Sequence, residues 1–223
     1  MKASTAARIP VTEVVVIGAL HHFHARVSTY GFAELSRTIE ATRPHVLALE
    51  LTAEDLACRR TMEMKREYPE VVYPLLDKHG YAAVALEPGG IYAAELADIQ
   101  RKAEAAFLAD YPERAARIRT HALQVIEDLL GSCNGPLEFN SPETDQRIAD
   151  KHAFQYALYP PAYREVWEAW NSHFLQQILS AAAAHPFERI AVIVGLEHCY
   201  WLRPRLAQQP RIRLRKVSEF VFE

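Results

Sequence analysis

Two segments of one spelling, Gly18-Ala19-Leu20-His21 and Gly195-Leu196-Glu197-His198, each follow a run of consecutive apolar residues. Two further apolar runs end in a carboxylate, at Glu50 and at Glu87. Imidazoles and carboxylates brought to one centre suit a borderline divalent ion such as zinc, manganese, cobalt or iron, with a coordination position left for water. The ion would lower the water's pKa toward about 7, and a second carboxylate would take its proton. On this reading His21, Glu50 and His198 are the metal ligands and Glu87 is the general base. The same groups also serve without metal, a Glu and His pair orienting and deprotonating water directly. Against this, a Glu that closes an apolar strand is often only the first solvated residue, which is the plain reading of Glu87. Glu50 is flanked by Leu49 and Leu51, so a carboxylate there needs a partner. His22 and His24 read as solvent-facing or capping residues, with their closeness to His21 making them candidates to support it.

The elements that must position these residues are four β-branched or Ala-rich runs: Val14-Val15-Val16-Ile17, Val46-Leu47-Ala48-Leu49, Ala82-Ala83-Val84-Ala85-Leu86 and Ile190-Ala191-Val192-Ile193-Val194. Apolar at consecutive positions, they predict strands covered on both faces, the mark of a parallel sheet between helices. Helical stretches separate them, at 29 to 42, at 53 to 79 with a break near Pro69, and at 162 to 184. The alternation predicts an α/β fold with a mostly parallel central sheet flanked by helices. Parallel neighbours would bring His21, Glu50, Glu87 and His198 to the carboxyl edge of the sheet, where ligands bind in such folds. Each glycine of the paired motifs is expected to turn the backbone sharply off its strand.

From 91 to 160 the pattern changes to Ala-rich, charge-laced helix, at 91 to 110, at 112 to 130 and at 142 to 158, the last with Ser141 as cap and Pro142 in its first turn. A crossover this long exceeds the roughly dozen residues a parallel connection needs, and predicts a helical insertion or lid over one sheet edge. On 162 to 184, Asn171 falls within an apolar stripe that includes Trp167, Trp170, Phe174 and Ile178, so its buried amide must find partners, structural or in the crevice. The tail alternates Arg211, Arg213 and Arg215 with Ile212 and Leu214, as on a half-exposed C-terminal edge strand. Residues 1 to 10 read as a frayed terminus.

Composition bounds the rest. The chain has 223 residues, 50% of them hydrophobic, which predicts one folded domain spanning 1 to 223. A net charge of −3 provides no global field for nucleic acid or anionic membrane. Only the 201 to 216 window is strongly basic, and its alternation reads as edge-strand protection rather than a nucleic-acid patch. Three cysteines without a Cys-x-x-Cys fit neither a disulfide framework nor a zinc ribbon, and point to a reducing, cytoplasmic setting. Cys199 reads as core rather than nucleophile. No stretch reaches the roughly 18 apolar residues that span a bilayer.

Assembled, the motifs resemble the superfamily that joins TraB, the Tiki proteases, the haem-binding ChaN proteins and the erythromycin esterases, whose hallmark is paired Gly-x-x-His motifs. Gly18 to His21 and Gly195 to His198 match the pair, and Pro44-His45-Val46-Leu47-Ala48-Leu49-Glu50 matches the family's strand ending in Glu. The family's late helix carries Arg-Asn; here Asn171 is kept, Trp170 stands in the Arg position, and Arg164 is the nearest substitute. The resemblance implies a hydrolase of peptide or ester bonds acting on a small-molecule or peptide substrate. Tiki-like members imply metal-dependent peptide hydrolysis, with Asn171 as a polar contact for substrate or oxyanion. Erythromycin esterases imply metal-free hydrolysis, and ChaN-like members imply haem or small-ligand binding without catalysis.

Overall fold

The computed structural model describes residues 11–221, so the expectation for residues 1 to 10 lies outside the described residues. Five strands form one sheet: β1 (Thr12–Ala19), β2 (Val46–Leu49), β3 (Ala82–Ala85), β4 (Arg189–Gly195) and β5 (Ile212–Arg215). Their order is β3-β2-β4-β1-β5 and every pairing is parallel. The fold is therefore α/β, as the apolar runs require, and the arginine-rich tail is a parallel edge strand.

Successive residues of each strand face opposite layers. Val15, Ile17, Leu47, Leu49, Ala191 and Ile193 pack into one core, against Leu35 and Ile39 of α1 (Phe32–Thr42) and Leu75 of α3 (Tyr73–His79). Val14, Val16, Val46, Ala48, Ile190 and Val192 pack into the other. That second layer is closed by Phe174 and Ile178 of α8 (Pro161–Ala184) and by Leu202 and Leu206 of α9 (Leu196–Ala207). Three layers result, with β4 at the centre of the sheet, flanked by β2 and β1.

The insertion holds α4 (Gly90–Asp110), α5 (Pro112–Ser132), the short α6 (Pro136–Phe139), α7 (Pro142–Leu158) and then α8. Ser141 caps α7 by accepting the Thr144 N–H at 3.2 Å, which satisfies one of the donors a helix start leaves open. Lys151 of α7 is buried and pairs with Glu197 at 2.7 Å, fastening the insertion to the second Gly-x-x-His segment.

Three expectations are corrected. β3 is not covered on both faces: it lies at the sheet edge, and Ala82 and Ala83 are exposed. The stretch 53 to 79 is not one helix broken near Pro69. The helix α2 (Ala53–Cys58) ends where Arg59 turns left-handed at φ 51, and a loop follows until the π-helical turn Tyr68–Val72 leads into α3. Gly18 does not turn the chain off its strand, since β1 runs on through Ala19, whereas Gly195 ends β4 and α9 starts directly after it. Both glycines allow close approach, since a Cβ on Gly18 would lie 2.7 Å from Leu196 Cδ1 and one on Gly195 would lie 2.7 Å from His21 Nε2.

Candidate active site

β1 and β4 pair directly, with Ala19 opposite Gly195, and β4 pairs with β2, with Leu49 opposite Ile193. His21, Glu50 and His198 therefore leave neighbouring strands at the same edge. From β2 the chain goes outward to β3, and from the neighbouring β4 it goes the other way, past β1, to β5, so the connections part at the β2–β4 boundary, where Glu50 and His198 leave the sheet. A crevice at such a switch point is where ligands bind in open parallel sheets.

His21 opens the 3₁₀ turn His21–Ala25 and itself takes φ 51, a left-handed conformation uncommon for a residue with a Cβ. Its Nδ1 lies 2.7 Å from Glu67 Oε1, so the ring donates from Nδ1 and turns Nε2 toward Glu50 Oε1, 4.0 Å away. Burial alone would lower the His21 pKa, but the hydrogen bond to Glu67 and the charges of Glu50 and Glu67 outweigh it and raise the pKa. Glu67 is buried, and its second carboxylate oxygen has no hydrogen-bond partner among the described residues.

Glu50 is buried with both oxygens engaged. Oε2 accepts the Gly195 N–H at 2.5 Å, at the start of α9. Oε1 pairs with the Lys65 ammonium at 2.9 Å. Burial works to raise the Glu50 pKa, yet the charge of Lys65, then those of His198 and His21, and the Gly195 N–H hold it down at about 2. Lys65 also donates to the Glu50 carbonyl at 2.9 Å and to Glu87 Oε1 at 2.7 Å. Glu87 thus joins the site through Lys65, and burial raises its pKa.

His198 sits in the first turn of α9. Its Nδ1 donates to Asn171 Oδ1 at 2.8 Å, while Asn171 Nδ2 donates to the Trp167 carbonyl at 2.9 Å. The indole of Trp167 stacks on the imidazole, 4.6 Å between centroids at 14°, and the Phe174 ring lies tilted 4.9 Å away. Desolvation among these rings outweighs the carboxylates nearby and brings the His198 pKa down to about 4. His198 is neutral at pH 7, with the lone pair on Nε2, 3.8 Å from Glu50 Oε1.

Asn171 is corrected from a substrate contact to a positioning residue: it is fully buried in α8 and both ends of its amide are spent, on His198 and on Trp167. His24 is neither solvent-facing nor capping. It is buried, its Nε2 accepts the Leu20 N–H at 2.8 Å, its Nδ1 donates to the Tyr30 carbonyl at 2.6 Å, and desolvation brings its pKa to about 4. Arg164 is exposed above the Tyr156 ring and lines no cavity of the site, whereas Trp170 does. Cys199 is core, packed near Gly18, and burial pushes its thiol up to about 12. Arg203, in the basic window, is spent on Asp145 at 2.7 Å and on the Val16 carbonyl at 3.0 Å.

His21, Glu50 and His198, the ligand set expected for a metal, are spread wider than one ion requires. Ligands about 2.0–2.2 Å from one zinc ion lie roughly 3.4 Å apart in a tetrahedron. The two Nε2 atoms stand 4.0 and 3.8 Å from Glu50 Oε1, and an ammonium already neutralises that oxygen. Among the described residues no group of three or more His, Cys, Asp or Glu side chains is placed to hold a metal ion. The residues as arranged do not fit a resident divalent ion.

Lys65 and Glu67 were not legible as site residues. They lie on the loop between α2 and the π-helical turn, within Met62-Glu63-Met64-Lys65-Arg66-Glu67, where charge reads as solvated helix. Comparison with family models, with curated proteins and with solved structures gives no match. No helix among the described residues is long and apolar enough to cross a membrane.

Proposed function

We propose that this chain is a hydrolase of ester or peptide bonds in which His21, held by Glu67, activates water directly. The observation that carries the reading is the His21–Glu67 pair: a carboxylate 2.7 Å from Nδ1 fixes the tautomer and leaves Nε2 free in the crevice. Water bound there gives a proton to Nε2 as its oxygen adds to the carbonyl carbon, and Glu67 stabilises the imidazolium that forms. The imidazolium then returns the proton to the leaving oxygen or nitrogen as the bond to carbon breaks. His198, neutral and immobile, fixes the water from the second side. Lys65 supplies the positive charge nearest the reacting carbonyl, and its pairing with Glu50 and Glu87 favours a role as a fixed charge.

A metal-dependent version keeps one supporting observation, that both Nε2 lone pairs turn toward Glu50, and it requires Lys65 to release that carboxylate. The two versions separate by experiment. Hydrolysis of p-nitrophenyl acetate and of a fluorogenic peptide, with and without excess chelator, is compared with metal content by elemental mass spectrometry. The expected result is activity that survives chelation and falls about 10³-fold in kcat/KM in His21→Ala, with the circular dichroism retained. Activity lost on chelation and restored by zinc, manganese, cobalt or iron, with bound metal that vanishes in His198→Ala, would install the metal-dependent version. Equal rates in wild type and His21→Ala would remove both.

A further inference from the structure

Two cavities meet at the His198 imidazole and the Trp167 indole, which line both. Their other walls differ in chemistry. The cavity on the Glu50 side, 290 Å³, presents the charged and hydrogen-bonding groups of Lys65, Glu87, Gln100 and Tyr163 beside the apolar Met62, Val166 and Trp170. The cavity on the His21 side, 280 Å³, is walled mainly by apolar side chains, among them Leu20, Phe23, Met64, Ile126, Leu130 and Leu196; its further polar lining is His22 and Glu197, the latter paired with Lys151. Ile126 and Leu130 come from α5, so the insertion closes over this half. A largely apolar cavity beside a buried ionic site offers few groups that could specify a polar substrate; it rewards apolar area removed from water.

From this division, and resting on the hydrolase reading above, we infer that the substrate is an ester or amide of a medium-length fatty acid. Its acyl chain lies in the His21-side cavity and its polar leaving group lies beside Lys65 and Glu87. That pose sets the carbonyl carbon at the shared wall, within reach of His21 and His198. Water adds its oxygen to that carbon, the bond to the leaving group breaks, and the proton taken by His21 passes to the departing oxygen or nitrogen. The products are the fatty acid, ionised near neutral pH, and a free alcohol or amine.

The test compares p-nitrophenyl acetate with p-nitrophenyl octanoate, which share a leaving group, on the full chain. Full burial is worth about threefold or more per methylene, and kcat/KM carries that gain when it is made in the transition state, so the octanoate-to-acetate ratio of kcat/KM is expected to be at least about 100. Ile126→Trp, which fills the cavity, and Leu130→Gln, which makes its wall polar, should each lower that ratio at least about tenfold. Either variant that folds suffices. A ratio near one in wild type, with hydrolysis that depends on His21, would overturn the acyl assignment and leave the hydrolase reading standing. If neither ester is cleaved, displacement of 11-(dansylamino)undecanoic acid by octanoate but not by acetate, weakened in Ile126→Trp, would uphold the acyl cavity and defeat the hydrolase reading. Absence of both cleavage and displacement would overturn the acyl assignment.

Discussion

The two Gly-x-x-His segments have one spelling and opposite environments. After β1, His21 opens a 3₁₀ turn, keeps part of its ring in the crevice and meets a carboxylate; after β4, His198 enters an α-helix, packs against Trp167 and Phe174 and meets an amide. The first imidazole is consequently chargeable near neutral pH, and the second stays neutral down to about pH 4. A motif of four residues fixes where an imidazole stands at the sheet edge. What it does there is decided by one partner atom contributed from elsewhere in the chain, Glu67 Oε1 in one case and Asn171 Oδ1 in the other. Titratable groups whose environments push their pKa values apart are suited to different roles, here one that exchanges protons and one that stays neutral.

Among changes to the partners of the two histidines, removing the carboxylate should cost most. Glu67→Gln takes away the charge and the fixed tautomer behind His21, and kcat/KM should fall about 100-fold. Because the base must be neutral, the rate rises with pH through the His21 pKa, which in wild type is raised above 6.5. Without Glu67 that pKa drops, so the rising limb of the pH–rate profile should move to lower pH even as its plateau falls. An unmoved limb would mean that His21 is not the group being titrated.

Making the second histidine resemble the first should cost less. Asn171→Asp offers His198 Nδ1 a carboxylate, raising its pKa and charging it near neutrality. The expected outcome is a loss of about thirtyfold in kcat/KM at pH 6 that largely recovers by pH 9, read from the pH–rate profile with circular dichroism as the folding control. A loss independent of pH would indicate that Asn171 matters only to packing. Smallest is Gly195→Ala, whose new Cβ would lie 2.7 Å from His21 Nε2 and 3.3 Å from Glu50 Oε2. The ring must shift by several tenths of an ångström, and about a tenfold fall in kcat with little change in KM is expected. An unchanged kcat would show that the approach of β4 to His21 is not what aligns the base.

The strands and the histidines were legible because both rest on local pattern. Consecutive β-branched residues can only be satisfied by cover on two faces, and a residue that follows a buried strand is bound to the sheet edge. Glu50 was legible for the same reason, lying between Leu49 and Leu51. Lys65 and Glu67 were not, because burial of a charged residue is decided by a partner distant in sequence, and no spacing within 59 to 67 distinguishes that loop from a charged helix face. His24 was misread on the same ground: its partners are the Leu20 N–H and the Tyr30 carbonyl, backbone atoms that no side-chain pattern reports. β3 looked like its neighbours in composition, and only the sheet order made it an edge.

The division between the two histidines can be measured without any substrate. Following the imidazole resonances of uniformly labelled protein by NMR from pH 4 to pH 9, with His21→Gln and His198→Gln for assignment, gives both pKa values in one titration. The account predicts His21 above 6.5 and His198 near 4, with the His198 ring carrying its proton on Nδ1 throughout the neutral range. Two histidines titrating together near 6.5, or His198 titrating at the higher pH, would contradict it.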